Sequence, residues 1–87
     1  MKIVALGDQE ALIGLKLAGI DETFKPQTKD DAVSLLLSLK EREDVGVIII
    51  SSDFYRQTRE VVKEMREESI FPLIVDIPTR LGLEERT

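Results

Sequence analysis

Apolar residues along this chain fall into two kinds of pattern. Ile3-Val4-Ala5-Leu6 and Val45-Gly46-Val47-Ile48-Ile49-Ile50 are nearly unbroken runs, the second rich in β-branched side chains, and both predict strands covered on two faces, as parallel sheets require. Between them, Ala32, Leu35, Leu36 and Leu39 recur at the spacing of one helical face, with Asp30, Asp31, Lys40 and Glu41 outside it. Thr28 stands where an N-cap is needed, and Asp31 three residues on completes a weaker form of the capping box. A further helix is predicted over 53–67, with Phe54, Thr58, Val61, Val62 and Met65 inward and Ser52 or Asp53 as its cap. Phe71 to Ile77 reads as the last strand, with Pro72 at its start, where a missing donor is tolerated.

The first helix follows Gly7-Asp8, a glycine that lets the chain turn and an aspartate placed to cap the first helical turn. Gly19 closes that helix, and Ile20 to Phe24 then has room for a short edge strand ended by Pro26. The element order is βαβαβαβ. Right-handed crossovers make it an α/β fold, a three-layer α/β/α sandwich on a four-stranded parallel sheet of order 2-1-3-4, Rossmann-like and receiver-like. Residues 1–78 form the domain, and 79–87 are expected to be a flexible tail, too polar and too short for another packed element.

Composition narrows the chemistry. With no cysteine and no histidine there is no thiolate nucleophile and no disulfide, and the commonest general base and metal ligand is missing. A net charge of −5 repels nucleic acid phosphates and anionic lipid, and Arg56, Arg59, Lys63 and Arg66 are interleaved with Glu60, Glu64, Glu67 and Glu68 rather than forming a basic stripe. No apolar run approaches the roughly 20 residues of a membrane span. A cytoplasmic location without membrane insertion or nucleic acid binding is the expectation.

In open parallel sheets, ligands collect at the carboxyl ends of the strands where strand order reverses, here between Gly7-Asp8 and Ser51-Ser52-Asp53. Two readings of that crevice stand. Asp8 and Asp53 are helix caps, or they bind magnesium in the manner of a receiver-like signalling domain, although Gln9 stands where a receiver pairs its acids and Asp76-Ile77-Pro78 offers no lysine. No G-x-G-x-x-G or Walker-type motif supplies a phosphate cradle, and no base stands by to activate Ser51 or Ser52. No catalytic, cofactor-binding or metal-binding residue is assigned. Tyr55, the only tyrosine, is either a packing residue with its tip in solvent or an interface anchor, and Leu81 and Leu83 in the polar tail either mark docking onto something or are ordinary scattered exposed leucines.

Three blocks in order carry a resemblance. They are Gly7-Asp8 followed by Gly14-Leu15-Lys16-Leu17-Ala18-Gly19-Ile20, then Val45-Gly46-Val47-Ile48-Ile49-Ile50-Ser51, then Phe71-Pro72-Leu73-Ile74-Val75-Asp76-Ile77-Pro78 with Gly82. Together they resemble the F-subunit family of archaeal and vacuolar-type ATP synthases, departing at Leu15, where an aromatic is usual. The resemblance implies a non-catalytic central-stalk rotor subunit that binds the D subunit, the coiled-coil shaft, and through it serves the catalytic A and B subunits, peripheral to the membrane. It implies shaft contacts at Tyr55, Arg56 and Arg59 and in the tail at Thr79, Arg80 and Leu81, with no cofactor. The family usually continues into a C-terminal helix, so this sequence is expected to correspond to the N-terminal domain without it. A structural adaptor of the same fold with another partner is the further alternative.

Overall fold

In the computed structural model, which describes residues 1–78, the chain runs β1 (Lys2–Leu6), α1 (Gln9–Leu17), β2 (Glu22–Phe24), α2 (Lys29–Lys40), β3 (Val45–Ser51), α3 (Ser52–Gln57), α4 (Arg59–Glu68) and β4 (Leu73–Ile77). The four strands form one sheet of order β2-β1-β3-β4, parallel throughout. This is the α/β topology that the hydrophobic pattern and the crossover rule require. The tail expected at 79–87 lies outside the described residues.

The caps behave as their residue types dictate. The Ala11 amide donates to Asp8 Oδ1 at 2.9 Å and the Asp31 amide to Thr28 Oγ1 at 3.1 Å, so each satisfies one of the orphan donors of a helix start. Gly19 follows α1 at φ +95°, a left-handed conformation that a residue with a Cβ adopts only under strain.

The expected helix over 53–67 is in fact two. Thr58 breaks it: the residue has φ −112° and ψ 17°, is 1% exposed, and donates from Oγ1 to the Phe54 carbonyl at 2.7 Å while its own amide reaches the same oxygen at 3.0 Å. A threonine hydroxyl competing for the i−4 carbonyl bends a helix in this way. The inward set predicted for this region survives the break, with Thr58, Val62 and Met65 buried and Phe54 and Val61 partly so. Neither expected cap serves that role. Ser51 holds the N-cap position without a side-chain bond, Ser52 Oγ instead donates to the Ile77 carbonyl at 2.8 Å, and Asp53 lies inside the first turn.

Sheet register explains the core. Val4 pairs with Ile48, Leu6 with Ile50 and Ile48 with Ile74, and partners in register point to the same face. That face packs against Ala32, Leu36 and Leu39 of α2 and Val62 and Met65 of α4 in one continuous cluster. The opposite face presents Ile3, Ala5, Val47, Ile49, Leu73 and Val75, and α1 is the helix that crosses it, over β1 and β2. No residue of α1 is fully buried. The expectation that β3 is covered on both faces is therefore corrected: Val47 and Ile49 are half-buried, and on β4 Leu73 and Val75 are 47% and 45% exposed. At the other end of the sheet Gly46 sits at a register irregularity between β1 and β3, and a Cβ there would collide with the Met1 side chain lying over it.

An ionic network closes the amino ends of the strands. Arg42, just after α2, grips Glu22 of β2 with both terminal nitrogens, at 2.9 and 2.7 Å, and Asp44 at 2.9 and 2.7 Å, and Lys2 approaches Glu22 at 3.3 Å. The fork geometry of guanidinium suits two carboxylates at once. Hydrogen bonds from Arg42, aided by Lys2 and opposed by desolvation, hold the Glu22 carboxyl down to about 2 from an ordinary 4.5. A carboxylate depressed in the folded state contributes stability above its unfolded pKa, and that contribution is lost as pH falls through the folded value. Stability is therefore expected to decline between pH 4.5 and 2. In Glu22→Gln, part of that slope should disappear from denaturation midpoints measured across the window; an unchanged slope would show that other carboxylates set it.

Candidate partner-binding surface

The crevice at the strand-order reversal holds the expected residues, each engaged locally. Asp8 caps α1, Asp53 Oδ1 accepts from Arg56 at 2.8 Å three residues on, and Ser52 is bonded to the end of β4. Ser51 Oγ is buried with no hydrogen-bond partner among the described residues, and it lies where a Cβ on Gly7 would meet it at 3.1 Å, so β1 and β3 close tightly on each other there. Among the described residues no group of three or more acidic side chains is placed to hold a metal, and no helix is long and apolar enough to cross a membrane.

The three expected contact residues within the described range differ in how available they are. Tyr55 is half-buried against the core; Arg66 donates to its hydroxyl at 3.2 Å and places its guanidinium 5.8 Å from the ring centre, a cation–π distance. The same Arg66 donates at 2.7 Å to the Ile74 carbonyl, so Tyr55 belongs to a structural brace between α3, α4 and β4. Arg56 is exposed but paired with Asp53. Arg59 alone of the three has no partner among the described residues, and it shares a shallow cleft of about 300 Å³ with Lys29, Val33 and Glu60 at the helix break. Thr79, Arg80 and Leu81 lie outside the described residues.

The larger available surface is one that the sequence pattern did not reveal. Across the β3–β4 half of the sheet, Val47, Ile49, Leu73 and Val75 form two adjacent rows, Val47 beside Leu73 and Ile49 beside Val75, on the face that α1 leaves open. Ile70 and Phe71, at the entrance to β4, are exposed beyond them. A contiguous apolar patch on a chain of this size is the usual mark of an interaction surface. Its signal was present in the sequence: the helices other than α1 serve the opposite face, so a single crossover helix has four strands to cover.

Comparison with known proteins agrees with this architecture. Residues 3–87 match the family model of the ATP synthase (F/14-kDa) subunit. The F subunit of the A-type ATP synthase of Methanothermobacter thermautotrophicus is 30% identical over 84 residues, covering 97% of this chain and 78% of that protein. The corresponding protein of Thermococcus onnurineus is 35% identical over 86 residues, 94% of this chain and 78% of that one. The crystal structure of the F subunit of the V-type ATP synthase from Archaeoglobus fulgidus superimposes with a TM-score of 0.73 at 25% identity, covering 87% of this chain and 95% of that chain. By sequence over nearly its whole length, and by a shared sheet topology, this chain belongs to the ATP synthase F/14-kDa subunit family.

Proposed function

We propose that this chain is a central-stalk rotor subunit of an A/V-type ATP synthase. It is not itself catalytic: it binds the D subunit, the coiled-coil shaft, turns with it, and so links the ATP chemistry of the A and B subunits to proton or sodium movement. Its place is cytoplasmic, held at the membrane by the complex. Family membership supports the assembly. The observation that carries the role is the shape of the available surface: an open apolar half-sheet backed by a fully packed second face, which suits a lasting protein contact rather than a small ligand. Arg59, with Arg56 and Tyr55 behind it, is proposed as a peripheral contact, together with Thr79, Arg80 and Leu81.

Co-purification with the shaft protein from the same genome, followed by light scattering, tests this directly. A one-to-one complex is expected. Two folded proteins that elute separately would remove the rotor reading.

A further inference from the structure

Charges that alternate along α4 in sequence are sorted by the helix. Thr58, Val62 and Met65, spaced four and three residues apart, form its buried row. One position on, Arg59, Lys63 and Arg66 repeat that spacing, and one further on, Glu60, Glu64 and Glu67 repeat it again. With 3.6 residues per turn, each row lies about 100° round the helix from the one before, so a basic row and an acidic row run side by side, both exposed. The expectation of a helix face without a basic stripe is corrected accordingly.

Such sorting works against the helix itself. Residues three or four apart are neighbours, and Arg59 with Lys63, Lys63 with Arg66, Glu60 with Glu64 and Glu64 with Glu67 are all of like sign. Among the described residues none of the three cations pairs with a carboxylate. Arg66 donates to the Tyr55 hydroxyl and the Ile74 carbonyl, both uncharged, so its guanidinium is held in place with its charge uncompensated. A local rule broken with no compensation inside the chain marks a surface shaped by something outside it.

We infer that the basic row of α4, with the shallow cleft it forms beside Tyr55 and Glu67, is a docking site for an acidic polypeptide segment that presents carboxylates in a row of matching spacing. Charge complementarity sets the sign of the partner, and width sets its class. The basic row spans about 10 Å along the helix and is one side chain wide, with glutamates directly beside it. A nucleic acid duplex or an anionic bilayer would spread phosphates over both rows and meet Glu60, Glu64 and Glu67, against a net charge of −5. A polypeptide can bring one file of carboxylates to the basic row and other residues to the row beside it.

Arg59→Glu separates docking from folding. The substitution sets a glutamate four residues before Lys63 and in the first turn of α4, both favourable to the helix, so the variant should melt at or above the wild-type temperature. The probe is an alanine-rich helical peptide with glutamates spaced four and three apart, its binding at low salt followed by shifts of the Arg59 and Lys63 amide resonances. Affinity for it should fall about tenfold in Arg59→Glu, whereas Glu60→Gln, in the neighbouring row, should not weaken it. A peptide of the same composition with its glutamates scattered round the helix should bind the wild-type chain at least about threefold more weakly. Equal affinity for the two peptides, equal affinity of wild type and Arg59→Glu, or tighter binding of a DNA oligonucleotide or of phosphatidylserine vesicles overturns the inference. A lower melting temperature in Arg59→Glu would make the row structural and overturns it as well. The inference goes beyond the rotor reading and does not rest on it, since co-purification with the shaft can succeed or fail independently of peptide binding.

Discussion

Ile48→Asn will be unfolded at neutral pH, while Ile49→Asn, one residue along the same strand, will fold. Ile48 is fully buried on the face packed by α2 and α4, in register with Val4 and Ile74. Removing its side chain empties a site enclosed by α2, α4 and the sheet, at a cost of roughly 2–5 kcal/mol, and the amide adds about 1–3 kcal/mol for polar groups that find no partner there. A domain of this length has a total stability on the order of 4–13 kcal/mol. The loss is comparable with the whole. Ile49 points to the half-open face, so its replacement forfeits only part of the roughly 1.5–3 kcal/mol that full burial of an isoleucine brings, and the new amide meets water. Far-ultraviolet circular dichroism with a urea titration of each variant decides the matter; equal destabilisation would mean that both faces of β3 are sealed.

Leu36→Ala should lower stability by about 2–5 kcal/mol and its neighbour Leu37→Ala by less than about 0.5 kcal/mol. Leu36 is fully buried in the cluster between α2, α4 and the sheet, whereas Leu37 is 46% exposed. With one large core rather than two, the vacancy left at Leu36 has few neighbours able to shift into it. In a domain of 60–100 residues each kcal/mol moves the melting temperature by roughly 4–8 °C, so the first variant should melt on the order of 10–30 °C lower, read by calorimetry. A small shift at Leu36 would show that α2 contributes little to the cooperative unit.

Much of this architecture is legible from local pattern. Ala32, Leu36 and Leu39 declare the buried face of α2 because a helix repeats every 3.6 residues, and Asp8 and Thr28 declare helix starts because their side chains can satisfy amides three residues on. What escaped depends on partners distant in sequence. Glu22 and Arg42 meet across twenty positions, a pairing that no spacing rule encodes. Tyr55 looked available because nothing local shows that Arg66, on the helix beyond the break, comes back over its ring. The break itself is hidden because Thr58 fits the apolar stripe and bends the helix only through a hydroxyl choosing its acceptor. The uncovered strip on β3 and β4 escaped because an unbroken run of branched side chains looks the same whether one face is sealed or both, and only the distribution of helices between faces tells them apart.

Strand order also governs how the chain can come together as it is made. β1 lies between β2 and β3, so the first strand synthesised finds its second neighbour only when Val45–Ser51 exists. Until then β1, α1 and β2 form a small unit with one unpaired inner edge and the bare side chains of Val4 and Leu6 beneath it. Non-local parallel pairing of this kind closes long loops before any contact rewards it. The nascent chain therefore holds an adhesive edge open through the synthesis of α2.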